Sequence, residues 1–287
     1  MATLEKSRTT SNPVLSRQDI FTREGYVGFH DAPTAAAAGQ AQPQTQPGGL
    51  PEGPGTYAGP TMTINDVVVK TFILFVVGAV GVAIAWALDF PVGLTFGAMI
   101  VGLVLAFVNI FKKKVSPPLI MAYALVQGVF LACISAWYQD YANAGSAPGE
   151  GSNIVLQAII GTATAFVVML VLYTSGKLRA TAKFKKIMLA SLISYGLIAV
   201  ASFIGALFGV GEGWGFYGVG GLGLLLCVAG VALASFTLIL DFDAIQSGVE
   251  LGVPEQESWR ASFGLLVTLI WLYLEILRFL AILQGRD

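Results

Sequence analysis

From Asp66 onward, apolar residues come in long runs, and nearly all polar and charged residues collect in short connections between them. A helix crossing about 30 Å of hydrocarbon needs about 20 predominantly apolar residues. The runs predict seven such spans, at about 67–88, 93–111, 118–138, 154–174, 187–209, 218–241 and 262–283. The fold class this implies is an all-α integral membrane protein with seven transmembrane helices. The pattern upstream is different. Residues 1–60 are rich in Thr, Ser, Pro, Gly, Gln and Ala, as in AAAAGQAQPQTQPGGLPEGPGTYAGP. Such a stretch cannot bury enough apolar surface to fold alone, which predicts a disordered tail at 1–60 ahead of a membrane domain at 61–287. The first residues lack a basic start followed by an apolar core, so no signal peptide is expected.

Composition agrees with the pattern. The chain is 55% hydrophobic and 11% charged, with mean hydropathy +0.75, against about 25% charged residues in soluble domains. The net charge of −1 and the lack of a basic face with interleaved aromatics give no indication of a nucleic-acid partner. Cys133 and Cys227 both fall inside apolar runs and read as buried small hydrophobes rather than a disulfide. The lone His30 lies in the polar tail, which leaves no raw material for a histidine metal site or catalytic triad.

Charge in the connections predicts orientation. Lys112, Lys113 and Lys114 follow the second span, and Lys177, Arg179, Lys183, Lys185 and Lys186 follow the fourth. The connections after the first, third and fifth spans carry only Asp89, Asp140, Glu150 and Glu212. Positive loops stay in the cytoplasm. The expected arrangement is therefore a cytoplasmic N-terminus and an outside C-terminus in a multi-pass protein of a bacterial plasma membrane. Trp86, Trp137 and Trp214 fall at the predicted outer ends, where amphipathic rings favour the headgroup zone.

The candidate chemistry lies in the last two spans. LILDFDAIQ carries Asp241 and Asp243, and WLYLEILRFLAIL carries Glu275 and Arg278. A carboxylate at membrane depth costs roughly 2.5–3.5 kcal/mol or more, so its presence points to function and to a partner. Asp241 shares a helix face with Ile245 and Gly248, while Asp243, two residues on, points about 200° away. Glu275 and Arg278 stand at i, i+3, which brings them to one face. Two readings stay open: Glu275 pairs with Arg278 along its own helix, or it meets Asp241 across the hairpin. Two carboxylates that close cannot both ionise cheaply, so such a pair would share a proton and part as pH rises. Gln127, mid-span in YALVQGVFLACIS, is a further candidate, as an interhelical hydrogen-bonding group or a pore lining.

These stretches resemble the Bax inhibitor-1/YccA-like family of seven-helix membrane proteins. LILDFDAIQ and WLYLEILRFLAIL look like the family's last two helices. YALVQGVFLACIS and QAIIGTATAFVVMLVLYTSGKLRATAKFKKIM look like its third and fourth spans. The likeness covers about 60–287 and is nearest to the bacterial branch with a long polar tail. It implies a central seventh helix surrounded by six others and a pH-dependent calcium leak. It also implies an acidic sensor pair, with Asp241 at the family's sixth-helix aspartate and Glu275 at its seventh-helix aspartate. Glutamate is one methylene longer than that aspartate. The arginine that calcium-leak relatives place on the second helix is missing from GLTFGAMIVGLVLAFVNIF, and Arg278 is the substitute at hand.

The expectation is thus a non-enzymatic, pH-sensitive calcium or cation leak channel, without a bound cofactor and with calcium as the transported ion. Asp241 and Glu275 would make transient contact with that ion. The alternative is a regulatory membrane protein that binds a membrane protease or other partner through KLRATAKFKK and the tail. A retinal protein is excluded because the last span has no lysine for a Schiff base. An intramembrane protease is excluded because the spans lack a Ser/His pair and the YD and GxGD aspartyl arrangement.

Overall fold

The structure, a computed structural model, describes residues 59–88, 90, 93–144, 151–178, 180–210 and 220–285. All of them belong to the unit Gly55–Asp287, one of two into which the chain divides. The tail expected at 1–60 therefore lies almost wholly outside the described residues, as do Arg179 and Trp214. Seven helices are long and apolar enough to cross a membrane: α1 (Ile64–Ala87), α2 (Gly93–Phe111), α3 (Pro117–Ala142), α4 (Ile154–Thr174), α5 (Ala182–Leu207), α6 (Gly221–Glu250) and α7 (Glu257–Gln284).

The helix starts follow local chemistry. Thr63 and Asp66 form a reciprocal capping box at α1, satisfying two otherwise orphaned backbone donors. Asn153 and Thr181 cap α4 and α5 through their side chains. Pro117 and Pro118 open α3, where a missing N–H is no loss. The largest boundary shift is in α6, which runs nine residues past Asp241 instead of ending there. The polar residues of this extension face partners: Asp243 pairs with Lys185 and Gln246 accepts from Tyr173. The helix then stops in a Schellman motif. Gly252 at φ +63° donates to the Val249 carbonyl, and Val253 donates to that of Gly248; glycine suits this left-handed position.

α7 occupies the centre. It packs directly against α1, α3, α4 and α6, and its buried residues run from Ser258 to Ile282. Three apolar clusters meet on it: Leu265, Leu269 and Leu272 against α4 and α6; Phe263, Leu266 and Ile270 against α1 and α3; Leu277 and Ala281 against α3 and α4. The expected central seventh helix is thus present, with a refinement. α2 packs on α3 and α5 on α6, as outer flanks beyond this inner five.

Small residues decide how closely α1 and α3 approach. A methyl on Gly81 would overlap the Leu125 carbonyl, and one on Gly128 would overlap the carbonyl of Gly78. In lipid, where tails are as apolar as leucine, such close packing replaces the hydrophobic effect as the driving force.

The short stretch before α1 forms a strap across the α6–α7 turn. Met62 N–H donates to the Val253 carbonyl at 2.8 Å, and Glu255 N–H donates to the Pro60 carbonyl at 2.9 Å. Thr61 faces Pro254 across this antiparallel bridge, and Met62 is buried against Gly248. Lys70 adds to the tie. Its Nζ lies 3.0 Å from Glu255 Oε1, 2.6 Å from Ser258 Oγ and 5.8 Å from the Trp259 ring centre.

Gly128 and Gly196 make a matched test of this packing. Gly128→Val should destabilise the protein in detergent by about 1–3 kcal/mol through overpacking. Gly196, with open space around it, should tolerate alanine or gain up to about 1 kcal/mol of helix propensity. Thermal unfolding of both variants checks the pair.

Candidate functional site

The buried charge of this fold gathers on the second half of α7. Glu275 and Arg278 are 7% and 8% exposed, and lipid supplies nothing to satisfy them. The carboxylate is held from three sides. Oε1 accepts from Tyr195 Oη on α5 at 2.6 Å and from Trp271 Nε1, one turn back on α7, at 3.1 Å. Oε2 lies 3.8 Å from Arg278 Nη1 and has no hydrogen bond among the described residues. The guanidinium also donates from Nη2 to the Gly223 carbonyl on α6 at 3.2 Å. Tyr138 and Cys227 sit within electrostatic range of this pair.

The α5 backbone stays away from that of α7; Tyr195 reaches across, its ring 5.7 Å from that of Trp271, because α6 carries Gly230 between them. A methyl on Gly230 would overlap the Tyr195 hydroxyl and stand 2.5 Å from the Glu275 carboxyl carbon. The glycine is a window in α6. Met188, Tyr195 and Ser202, seven residues apart, are the buried residues of α5 and form the one stripe by which it holds to the bundle.

Asp241 occupies a different level. Its carboxylate is hydrogen-bonded to Thr268 on α7 and lies beside Gly264, whose added methyl would stand 4.0 Å from Oδ1. Oδ2 is buried without a hydrogen-bond partner. Thr268 and Glu275 are two helical turns apart, about 10 Å of rise. The antiparallel register thus sets Asp241 beside Gly264 and Thr268, and Glu275 beside Gly230. The two carboxylates do not meet. Of the two pairings left open by the sequence, the one along α7 to Arg278 is present, and the one across the hairpin is not. A calcium ion takes six to eight oxygen ligands, and these acids do not converge to share one. Among the described residues, no group of three or more His, Cys, Asp and Glu could hold a metal.

Asp243 forms an ion pair with Lys185 of α5 at 2.5 Å, away from both. Gln127 donates to Tyr123 Oη at 2.9 Å and fills the space over Gly102 of α2, so it joins α3 to α2. Lys70, which could have reached for the interface alone, is tied to the α6–α7 turn instead. At the end of the bundle opposite that turn, a cavity of about 460 Å³ is lined by Ser135, Gln139, Asn143, Ser152 and Asn153. Ser135 links it to Tyr273 of α7 through a 2.7 Å hydrogen bond.

The family model described as "Bax inhibitor 1 like" matches residues 12–285. The chain belongs to the Bax inhibitor 1-like family. No individual curated protein matches it. Membership and the seven spans together make this a multi-pass membrane protein of that family. Within this Bax inhibitor 1-like chain, sequence reasoning missed Tyr195 and Thr268, and it marked Gly230 only as one of many small residues that let helices approach closely. A signal existed for the first: Tyr195 is a polar aromatic at the middle of the fifth apolar run.

Removing one member of a buried ion pair strands the other, at about 3–5 kcal/mol. Arg278→Met should therefore lower stability by that amount, and Glu275→Gln added to it should recover most of the loss. A double-mutant cycle of thermal or denaturant unfolding in detergent measures the coupling.

Proposed function

We propose that this protein is a pH-sensitive cation leak pathway, acting in transport rather than catalysis and needing no bound cofactor. The observation that carries this reading is the pair of buried carboxylate oxygens, Asp241 Oδ2 and Glu275 Oε2, that no donor satisfies among the described residues. Both face the α6–α7 seam, at levels about two helical turns apart. An unsatisfied carboxylate oxygen inside a membrane protein is a natural station for a cation crossing it. Calcium, a hard cation that prefers oxygen ligands, is the ion the family resemblance implies. The cavity to which Ser135 and Gln139 contribute polar groups supplies a mouth at the end with few basic residues. The lysine-bearing end faces the cytoplasm of a bacterial cell in this reading.

The arrangement alters the gating expected from the sequence. Two acids at separate levels bind protons independently instead of sharing one. Each draws a cation only when ionised. Flux is therefore highest at neutral pH and falls as acid neutralises first one station and then the other. In liposomes loaded with a calcium dye, Asp241→Asn and Glu275→Gln should each lower the neutral-pH flux by about tenfold, equivalent to about 1.4 kcal/mol. Sites this far apart act additively, so the double variant should lose about a hundredfold. Flux indifferent to pH and to both substitutions would sink the reading. A double variant no worse than either single one would restore the shared-proton pair.

The strap favours a second reading, in which the protein is a regulator of a membrane protease or similar partner. It ties the residues directly after the tail to the α6–α7 turn. Deletion of 1–60 would remove the Pro60 carbonyl from the strap, so the cleaner test removes 1–55. A leak pathway keeps its flux after that deletion. A regulator loses function while its folded membrane domain remains.

A further inference from the structure

A second feature lies on the outer side of α6, where the flanking helix α5 leaves a groove. The groove holds about 370 Å³ and is lined by Lys185, Leu189 and Leu192 of α5 and by Leu240, Asp243, Ala244 and Ser247 of α6. The α5 backbone lies close to that of α6 alone, so the seam stays open on the side facing lipid. Lys185, Leu189 and Leu192 follow one helix face, with the lysine at the lysine-rich end of the bundle and the leucines deeper in the apolar zone. Lys183 and Lys186 lie in the same first two turns of α5, and both are exposed. Among the described residues, Asp243 is the one acid lining the groove.

We infer that this groove is a binding site for an anionic phospholipid, with the phosphate at Lys185 and an acyl chain along Leu189, Leu192 and Leu240. Two properties of the groove select this occupant. Its mouth lies at the basic end of α5: Lys185 lines it, and Lys183 and Lys186 stand exposed in the adjoining turns. Basic pockets between transmembrane helices at the cytoplasmic side take anionic headgroups in this way, each Lys near the surface contributing about 1 kcal/mol. Its floor is aliphatic and runs toward the bilayer centre, about 10 Å from Lys185 to Leu192 at 1.5 Å per residue. A free phosphate would use the first property and leave the second bare. The Lys185–Asp243 ion pair, with half of the lysine side chain exposed, spans the mouth of the groove. An arriving phosphate competes with Asp243 for that ammonium.

The test is native mass spectrometry of the full chain, released from detergent containing equal mole fractions of phosphatidylglycerol, phosphatidylethanolamine and phosphatidylcholine. Phosphatidylglycerol should be retained in preference to both others. Lys185→Gln should lower its retention about fivefold, the factor corresponding to one lost lysine contact. Lys113→Gln, on the α2–α3 connection outside the groove, should leave retention unchanged. Ala244→Trp, at an exposed position, should fill the groove and abolish retention with every lysine still in place. Circular dichroism of each variant verifies that it is folded. Equal retention of the three lipids overturns the inference, and a preference for phosphatidylethanolamine overturns the charge assignment. Loss on Lys113→Gln equal to that on Lys185→Gln, or retention surviving Ala244→Trp, shows diffuse surface attraction in place of a groove.

Discussion

The carboxylate of Glu275 sets how the last three helices stand together. A carboxylate in the interior of a membrane protein must find its hydrogen-bond donors within the chain. Trp271 and Arg278 supply two contacts from the same helix, one turn to either side. The third comes from Tyr195, on a helix whose backbone stays away from that of α7. That contact exists only because α6 offers Gly230 at the crossing point. One charged group thus accounts for a window in α6, the position of the α5 stripe and the placement of Arg278 against the Gly223 carbonyl.

The opposite end of the bundle is organised by backbone chemistry. Gly252 ends α6, the strap from Pro60 to Met62 pairs with the turn that follows, and Lys70 bonds to Glu255 and Ser258. Arg260 donates to the carbonyls of Lys112 and Lys113, which joins the α2–α3 connection to the start of α7. The central helix is therefore anchored at its first turn by neighbours from three directions, and along its second half by buried charge. α5, held by one stripe and the Lys185–Asp243 pair, is the helix with least to hold it in place.

Much of this was legible in the chain. Seven apolar runs gave seven helices, because length and hydropathy are what lipid demands of a span. The acids and Arg278 stood out for the same reason, since their cost in lipid is large. The end of α6 was not legible: a polar residue reads as a stop until its partner is known, and the partners of Asp241, Asp243 and Gln246 lie on α7, α5 and α4. The pairing of Glu275 with Arg278 followed from i, i+3 spacing alone. The alternative across the hairpin depended on interhelical register, which helical phase within one segment cannot fix. Tyr195 and the particular role of Gly230 escaped because their importance lies wholly in a meeting between helices.

Register also bears on whether Asp241 and Glu275 could come together in another state. To meet, α6 would have to slide along α7 by about two helical turns, roughly 10 Å. That slide would carry Gly230 away from the Tyr195–Glu275 contact and place a residue with a side chain at the window. It would also unseat Leu238, Ile239 and Phe242 from Leu265, Leu269 and Leu272. Cores packed at crystal-like density do not deform continuously over such distances. Helix shifts at switching interfaces are about 1–2 Å, or a one-turn ratchet at the extreme. The proposed leak pathway, with two stations in series, needs no such slide. In that proposal each carboxylate would gain or lose its proton and its cation where it stands, with the window at Gly230 and the hydroxyl of Thr268 setting their separate surroundings.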